Sequence, residues 1–262
     1  MSTSVALPPS VTLTYEDEIA LVRLSRPEKR NALNDTTVQG LETVFTSLPD
    51  EIKAVVLHGE GDHFSAGLDL SELTIRDMAQ SIAHSRSWHR IFQLIEFGKC
   101  PVVAVLHGAV IGGGIELAAA CHIRVAEKSA YYGLPEGMRG IFVGGGGSVR
   151  LPRLFGAHRM ADMMLTGRTY DAEDGQRIGV SNYLVEKGEG LEKGRALAKR
   201  IANNAPLTNF AVTHVLPRIV DAGNEAGYLT ESLIAAICST DPTAQDRLRA
   251  VLEGRAAKVV HS

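Results

Sequence analysis

The chain is poor in cysteine, poor in aromatic residues and has no large excess of either charge. Its 262 residues hold three cysteines (Cys100, Cys121 and Cys238), a single tryptophan and only 5% aromatic residues. An odd, widely spaced set without a CxxC pair supports neither a disulfide framework nor a zinc knuckle, so free thiols in a reducing compartment are expected. The formal net charge is −3. With no basic–aromatic stripe, that balance leaves no electrostatic footprint for nucleic acid or an anionic membrane surface. No apolar run approaches the ~18 residues of a membrane span. The start, MSTSVALPPS, lacks the basic region and apolar stretch of a secretory signal, and a cytoplasmic protein is expected. Metal chemistry is also unsupported: His84 and His89 are five apart on a predicted helix, and HExxH does not occur. Ser148, after four glycines, is not a nucleophile elbow.

What is present is an ordinary hydrophobic content of 45% in a chain long enough for one large domain with an appendage. VTLTY (11–15) and IALVRL (19–24) read as strands joined by the polar turn Glu16-Asp17-Glu18. Asn34 or Asp35 caps a helix whose apolar face is Val38, Leu41, Val44, Phe45 and Leu48. A buried strand at 53–57 precedes the loop HGEGDHFSAGLDL, and 76–97 reads as an amphipathic helix with Ile82, Trp88, Ile91, Phe92 and Ile95 inward. A strand at 102–106, a triple glycine opening a helix near Ile115, and a short strand at 123–126 follow. From about 156 the pattern is helical, broken by a turn-rich stretch near 167–188. Strands gather in the first half and helices in the second, so the expectation is an α/β core with a helical C-terminal extension.

Two glycine loops after two similar strands carry the strongest local signal. They are Ala66-Gly67-Leu68 and Gly112-Gly113-Gly114. A glycine run at a helix start admits close approach of a ligand to the backbone and leaves N–H groups unpaired, suited to developing negative charge. One donor from each loop would make an oxyanion hole. The same glycines could serve only tight turns and close packing, and the spacing from Gly108 to Gly114 fits a dinucleotide fingerprint poorly. Two glutamates lie nearby in sequence. Glu116 falls in the first turn of the helix opened by the triple glycine, and Glu136 in Leu134-Pro135-Glu136-Gly137. Helix-dipole stabilisation and an ordinary loop carboxylate are the plain readings; a pair that positions a water and moves its proton is the functional one.

Taken together, HFSAGLDL, HGAVIGGGIELAAACHIRVA and YYGLPEGMRGIFVGGGGSVRLPRLFG, flanked by RLSRPEKRNALN and MLTGRTYDAEDGQRIGVSNYLV, resemble the enoyl-CoA hydratase/isomerase (crotonase) superfamily across about residues 11–260. The resemblance implies a crotonase-like ββα spiral core over residues 1–200 and a helical trimerisation extension over 201–262. It implies oxyanion-hole donors at Leu68 and Gly113 and catalytic carboxyls at Glu116 and Glu136, together carrying hydration of a trans-2-enoyl-CoA. Coenzyme A would lie along the RPEKRNAL and FSAGLDL loops, with Arg26, Lys29 and Arg30 near its phosphates and the backbone around Ala66 near its adenine. Gly67, Asp69 and Gly112 complete the implied substrate-binding set. Coenzyme A belongs to the substrate, so no separate cofactor and no metal are implied.

Self-association as a trimer or dimer of trimers would use the tail with Leu248, Val251 and Leu252, and Arg255 or Lys258 would reach a neighbour's CoA. His122, His107, Gly137 and Val143 depart from the usual family pattern; glycine beside the acid suggests extra room for the acyl group or a looser Glu136. The alternatives on the same scaffold are isomerisation, carnitinyl-type dehydration, thioester hydrolysis, or acyl-CoA binding with little turnover.

Overall fold

Short valine- and isoleucine-rich runs between turn residues become strands, and the glycine loops lie at their ends. The computed structural model describes residues 6–72 and 75–255. Strands β1 (Val11–Glu16) and β2 (Ile19–Leu24) form an antiparallel hairpin that turns through Asp17 at φ 52°. Helix α1 (Asp35–Ser47) is capped by Asn34, whose Oδ1 accepts the Thr37 N–H at 2.9 Å, which decides between the two candidate caps. Strand β3 (Ala54–Gly59) starts one residue later than expected. Helix α2 (Met78–Glu96) opens on a reciprocal capping box between Asp77 and Gln80. Its Trp88, Ile91, Phe92 and Ile95 are buried as expected, but Ile82 is 57% exposed. The first turns of α2 stand clear of the hydrophobic core, and its burial begins only at Trp88.

The chain continues through β4 (Val102–Leu106), β5 (Ala109–Ile111), α3 (Gly113–Ala120), β6 (Ile123–Glu127) and β7 (Tyr131–Gly133). Then come α4 (Gly147–Phe155), α5 (Ala157–Thr166), β8 (Thr169–Asp171), α6 (Ala172–Ile178), β9 (Tyr183–Val185) and α7 (Gly190–Ala202). The turn-rich stretch near 167–188 is therefore strand–helix–strand, so strands are not confined to the first half. The main sheet has the order β1-β2-β3-β4-β6-β9, parallel after the first hairpin. β5, β7 and β8 form a smaller second sheet. Single parallel bridges, Leu33 to Leu68 and Ser65 to Val110, connect the loops beside it. Long strand, short strand and helix recur in turn, which is the ββα spiral.

Both faces of the central strands are covered, as their unbroken apolar runs require. On one face, Val55, Leu57, Ala104 and Leu106 join the core built with α1, α2 and α3. On the other, Val56, Val103, Val105 and Val125 pack with Leu197 and Ala198 of α7. The chain divides into two compact units, the first ending at Ala202 and the second beginning at Asn203. The second unit runs as α8 (Pro206–Phe210), a π-helical turn (Ala211–Val215), α9 (Leu216–Asp221), α10 (Asn224–Ser239) and α11 (Pro242–Leu252). It leaves Leu229, Leu233, Leu248, Val251 and Leu252 more than half exposed. Lys258 lies outside the described residues. No helix among the described residues is long and apolar enough to cross a membrane.

Candidate active site

The two glycine loops meet. Ser65 N–H donates to Ala109 O at 3.0 Å and Ile111 N–H to Ser65 O at 3.0 Å, stitching the first loop alongside β5. Gly67 then sits at φ +85°, and a Cβ there would lie 3.0 Å from the Gly113 nitrogen and well inside contact with the Ile111 carbonyl. Only glycine admits that combination of dihedral and approach. The flanking hydrogen bonds run from Leu33 N–H to Gly67 O at 2.7 Å and from Asp69 N–H to Leu33 O at 2.8 Å. They turn the Leu68 N–H the opposite way, where it donates to no acceptor among the described residues. Gly113, the first residue of α3, has an N–H that likewise meets no acceptor among the described residues. Leu68, Gly113, Ala66, Gly112, Glu116 and Glu136 all line one cavity of about 380 Å³.

Glu116 is 3% exposed. Its Oε1 accepts the N–H groups of Gly145 (2.8 Å) and Gly147 (2.7 Å), so the four-glycine run before Ser148 is a cradle for this carboxyl. Burial pushes its pKa up to about 7, against the opposing pull of those two N–H groups, and the nearby Glu136 adds to the rise. The cradle is itself held: Arg150 Nη1 donates to Gly145 O at 3.1 Å, and its Nε and Nη2 meet Glu96 at 2.8 and 2.7 Å. Glu136 is 7% exposed, and its Oε2 is buried without a hydrogen-bond partner. Burial raises its pKa as well, while Arg139 works the other way. An unpartnered buried carboxyl oxygen on a residue that lines a cavity is costly for folding and suited to a ligand or a transferred proton.

The remaining expected binding residues divide. Lys29 and Arg30 are exposed, and neither they nor Arg26, Gly67 and Asp69 line the cavity. Arg26 is turned inward: its guanidinium bonds to Asp69 Oδ2 at 2.7 Å and to Ala32 O at 2.8 Å, so it is not free for phosphate. Hydrogen bonds from Ser71 and Arg26 hold the buried Asp69 carboxyl down to about 2. That pair, with Asn31 bonded to Arg26 N–H, Glu60 O and His63 O, ties the RPEKRNAL loop to the FSAGLDL loop.

Two departures resolve physically. His122 replaces a supporting bond rather than losing it, accepting the Val102 N–H on Nδ1 (3.0 Å) and reaching Glu96 O through Nε2 (3.0 Å). Gly137 opens no room: a Cβ there would run into the Met164 carbonyl of α5, which already fills the space. Five polar lining residues were not among the expected site residues: Arg76, Ser81, His84, Ser85 and Arg139. The i, i+3, i+7 spacing of Ser81, His84 and Trp88 was the available signal.

Fold and cavity together define a class of protein: a ββα spiral that brings two free peptide N–H groups and two buried carboxyl groups to one pocket. Residues 14–252 match the sequence model for enoyl-CoA hydratase/isomerase. The chain is 30% identical to the short-chain-enoyl-CoA hydratase of Clostridium acetobutylicum, over 94% of this chain and 95% of that protein. It is 32% identical to the crotonyl-CoA hydratase of Syntrophomonas wolfei, over 76% and 77%. Among solved structures, a candidate enoyl-CoA hydratase from Rhodopseudomonas palustris CGA009 is 55% identical, with a TM-score of 0.93 over 98% of this chain and 100% of that one. The chain belongs to the enoyl-CoA hydratase/isomerase family.

Proposed function

We propose that this protein is a hydro-lyase that adds water reversibly across the double bond of a trans-2-enoyl-CoA. The observation that carries the reading is the meeting of the free N–H groups of Leu68 and Gly113 with Glu116 and the unpartnered Oε2 of Glu136 in one cavity. The two N–H groups receive the thioester oxygen and stabilise the enolate-like charge, each worth about 3–4 kcal/mol at the transition state. Glu116, fixed by its two glycine N–H groups, orients the water. The water oxygen bonds to the β-carbon and Glu136 delivers a proton to the α-carbon. The water's surplus proton returns to the glutamate pair, so the site ends as it began. Burial raises the Glu136 pKa, which favours the protonated form that the delivery uses.

Coenzyme A enters as part of the substrate, and the reaction needs no separate cofactor. Lys29 and Arg30, exposed on the loop that Arg26 and Asp69 hold in place, are the cations available to its phosphates. The exposed apolar side chains of α10 and α11 support assembly as a trimer or dimer of trimers, with Arg255 available to a neighbour's CoA. Loss of absorbance at the conjugated thioester with crotonyl-CoA, and a product heavier by one water, tests the reaction. Glu136→Gln should lower kcat about 10²-fold or more with little change in KM. A shifted double bond or released free CoA, or a variant with near-normal turnover, would overturn the reading.

A further inference from the structure

Most of the cavity wall is apolar, but one stripe of it is polar. Helix α2 presents Ser81, His84, Ser85 and Trp88 to the cavity, while Met78 and Ile82 of the same turns face solvent at 80% and 57% exposure. Ser85 Oγ is already spent on Gly144 O at 2.8 Å, so the groups of the wall that an alkyl end would strip of water unreplaced are the Ser81 hydroxyl and the guanidinium groups of Arg76 and Arg139. The stripe is also organised. Asp35, beside the α1 cap, accepts His84 Nε2 at 2.8 Å and Trp88 Nε1 at 3.1 Å on one oxygen, and Arg76 lies 3.7 Å from the other. Burial opposes the Asp35 charge, but those hydrogen bonds and cations hold its pKa below the usual range, so it is an anion. His84 Nε2 is then the donor of that bond. Arg139, on the turn after Glu136, lines the same cavity and has no ion-pair partner among the described residues. Leu68, Leu70, Ile141, Phe142 and Val143 supply an apolar wall.

Resting on the hydratase reading, we propose that the acyl group this site is built for ends in a carboxylate, read by Arg76 and Arg139. The distance along the helix fits. A Cβ on Gly113 would stand 3.4 Å from Trp88 Cζ3, so Trp88 marks the level of the thioester oxygen. His84 and Ser81 lie four and seven residues earlier, about 6 and 10 Å along the axis. A chain of roughly five to eight carbons brings its far end to that stretch. A planar, bidentate guanidinium suits a carboxylate.

The test compares six-carbon 2-enoyl-CoA thioesters ending in a methyl group or a carboxylate, and calorimetric binding of the matching saturated thioesters. Wild-type protein should favour the carboxylate-ended thioester about tenfold or more, in kcat/KM and in Kd. Arg76→Gln and Arg139→Gln should each lower that ratio about tenfold. A wild-type ratio at or below one, with crotonyl-CoA hydrated normally, overturns this inference and leaves the hydratase reading standing. Loss of affinity for both thioesters alike in Arg76→Gln assigns the guanidinium to the CoA phosphates and overturns it too. Preferential binding of the carboxylate-ended thioester without hydration of either supports the pocket assignment and sinks the hydratase reading instead.

Discussion

Glu116→Gln removes the charge of the most buried carboxyl in the cavity while keeping an oxygen for the Gly145 and Gly147 N–H groups. The ordinary value for this carboxyl is 4.5, and burial moves it up to about 7. Between those values the folded state binds more protons than the unfolded chain, so stability falls as pH rises through the window and is regained below it. The gap is worth about 3 kcal/mol in full. Of this, about 2–3 kcal/mol falls between about pH 5 and about pH 8.5. Urea unfolding of wild-type and variant at both pH values and one fixed protein concentration isolates the effect, because all other titrating groups are shared. The variant should gain about 2–3 kcal/mol relative to wild type on going from the lower pH to the higher, with an unchanged m-value. The same difference in stability at both pH values would refute the argument, since it would mean that the cradle keeps Glu116 ionised at ordinary cost.

Three further substitutions test the geometry. Gly67→Ala places a Cβ against the Ile111 carbonyl at a φ of +85° and should part the two loops. It should cost about 2–3 kcal/mol of stability and lower kcat about 10²-fold or more by misaligning the N–H donors, as steady-state kinetics and thermal unfolding would measure. Gly137→Ala forces the Glu136 turn away from α5 and should reduce kcat about 10²-fold, since displacements near 1 Å cost that much; a variant with improved turnover of bulky acyl groups would show that the space was open after all. Arg150→Met leaves Glu96 unpaired and frees the Gly145 carbonyl. It should cost about 2–3 kcal/mol in urea unfolding and shift the pH profile of kcat/KM, because the cradle of Glu116 loosens; the stability loss alone, with an unmoved profile, would confine Arg150 to a structural role.

Much of this protein was legible in local pattern. The run VVAVL specified a strand buried on both faces, Asn34 specified a helix start, and the spacing of Trp88, Ile91, Phe92 and Ile95 specified a core face, because each is encoded within a few residues. The three-residue strands β5, β7 and β8 are too short to display a period, and only their pairing with one another defines them. The glycine loops and both glutamates could be read as candidate chemistry, but nothing local said that Leu68 and Gly113 meet.

Sheet order decided that, by laying Ser65 against β5 and so bringing Gly67 beside Gly113. The same kind of long-range contact turned Arg26 toward Asp69, 43 positions away, and removed it from the set of free cations. It filled the space beside Gly137 with a carbonyl from α5, and it made the polar edge of α2 the wall of a cavity rather than a solvated face. Residue type and spacing therefore determined which elements form and which groups are chemically capable. Which of those groups share one desolvated volume was decided only by tertiary structure, because burial, free hydrogen-bond donors and raised carboxyl pKa values are properties of neighbours distant in the chain.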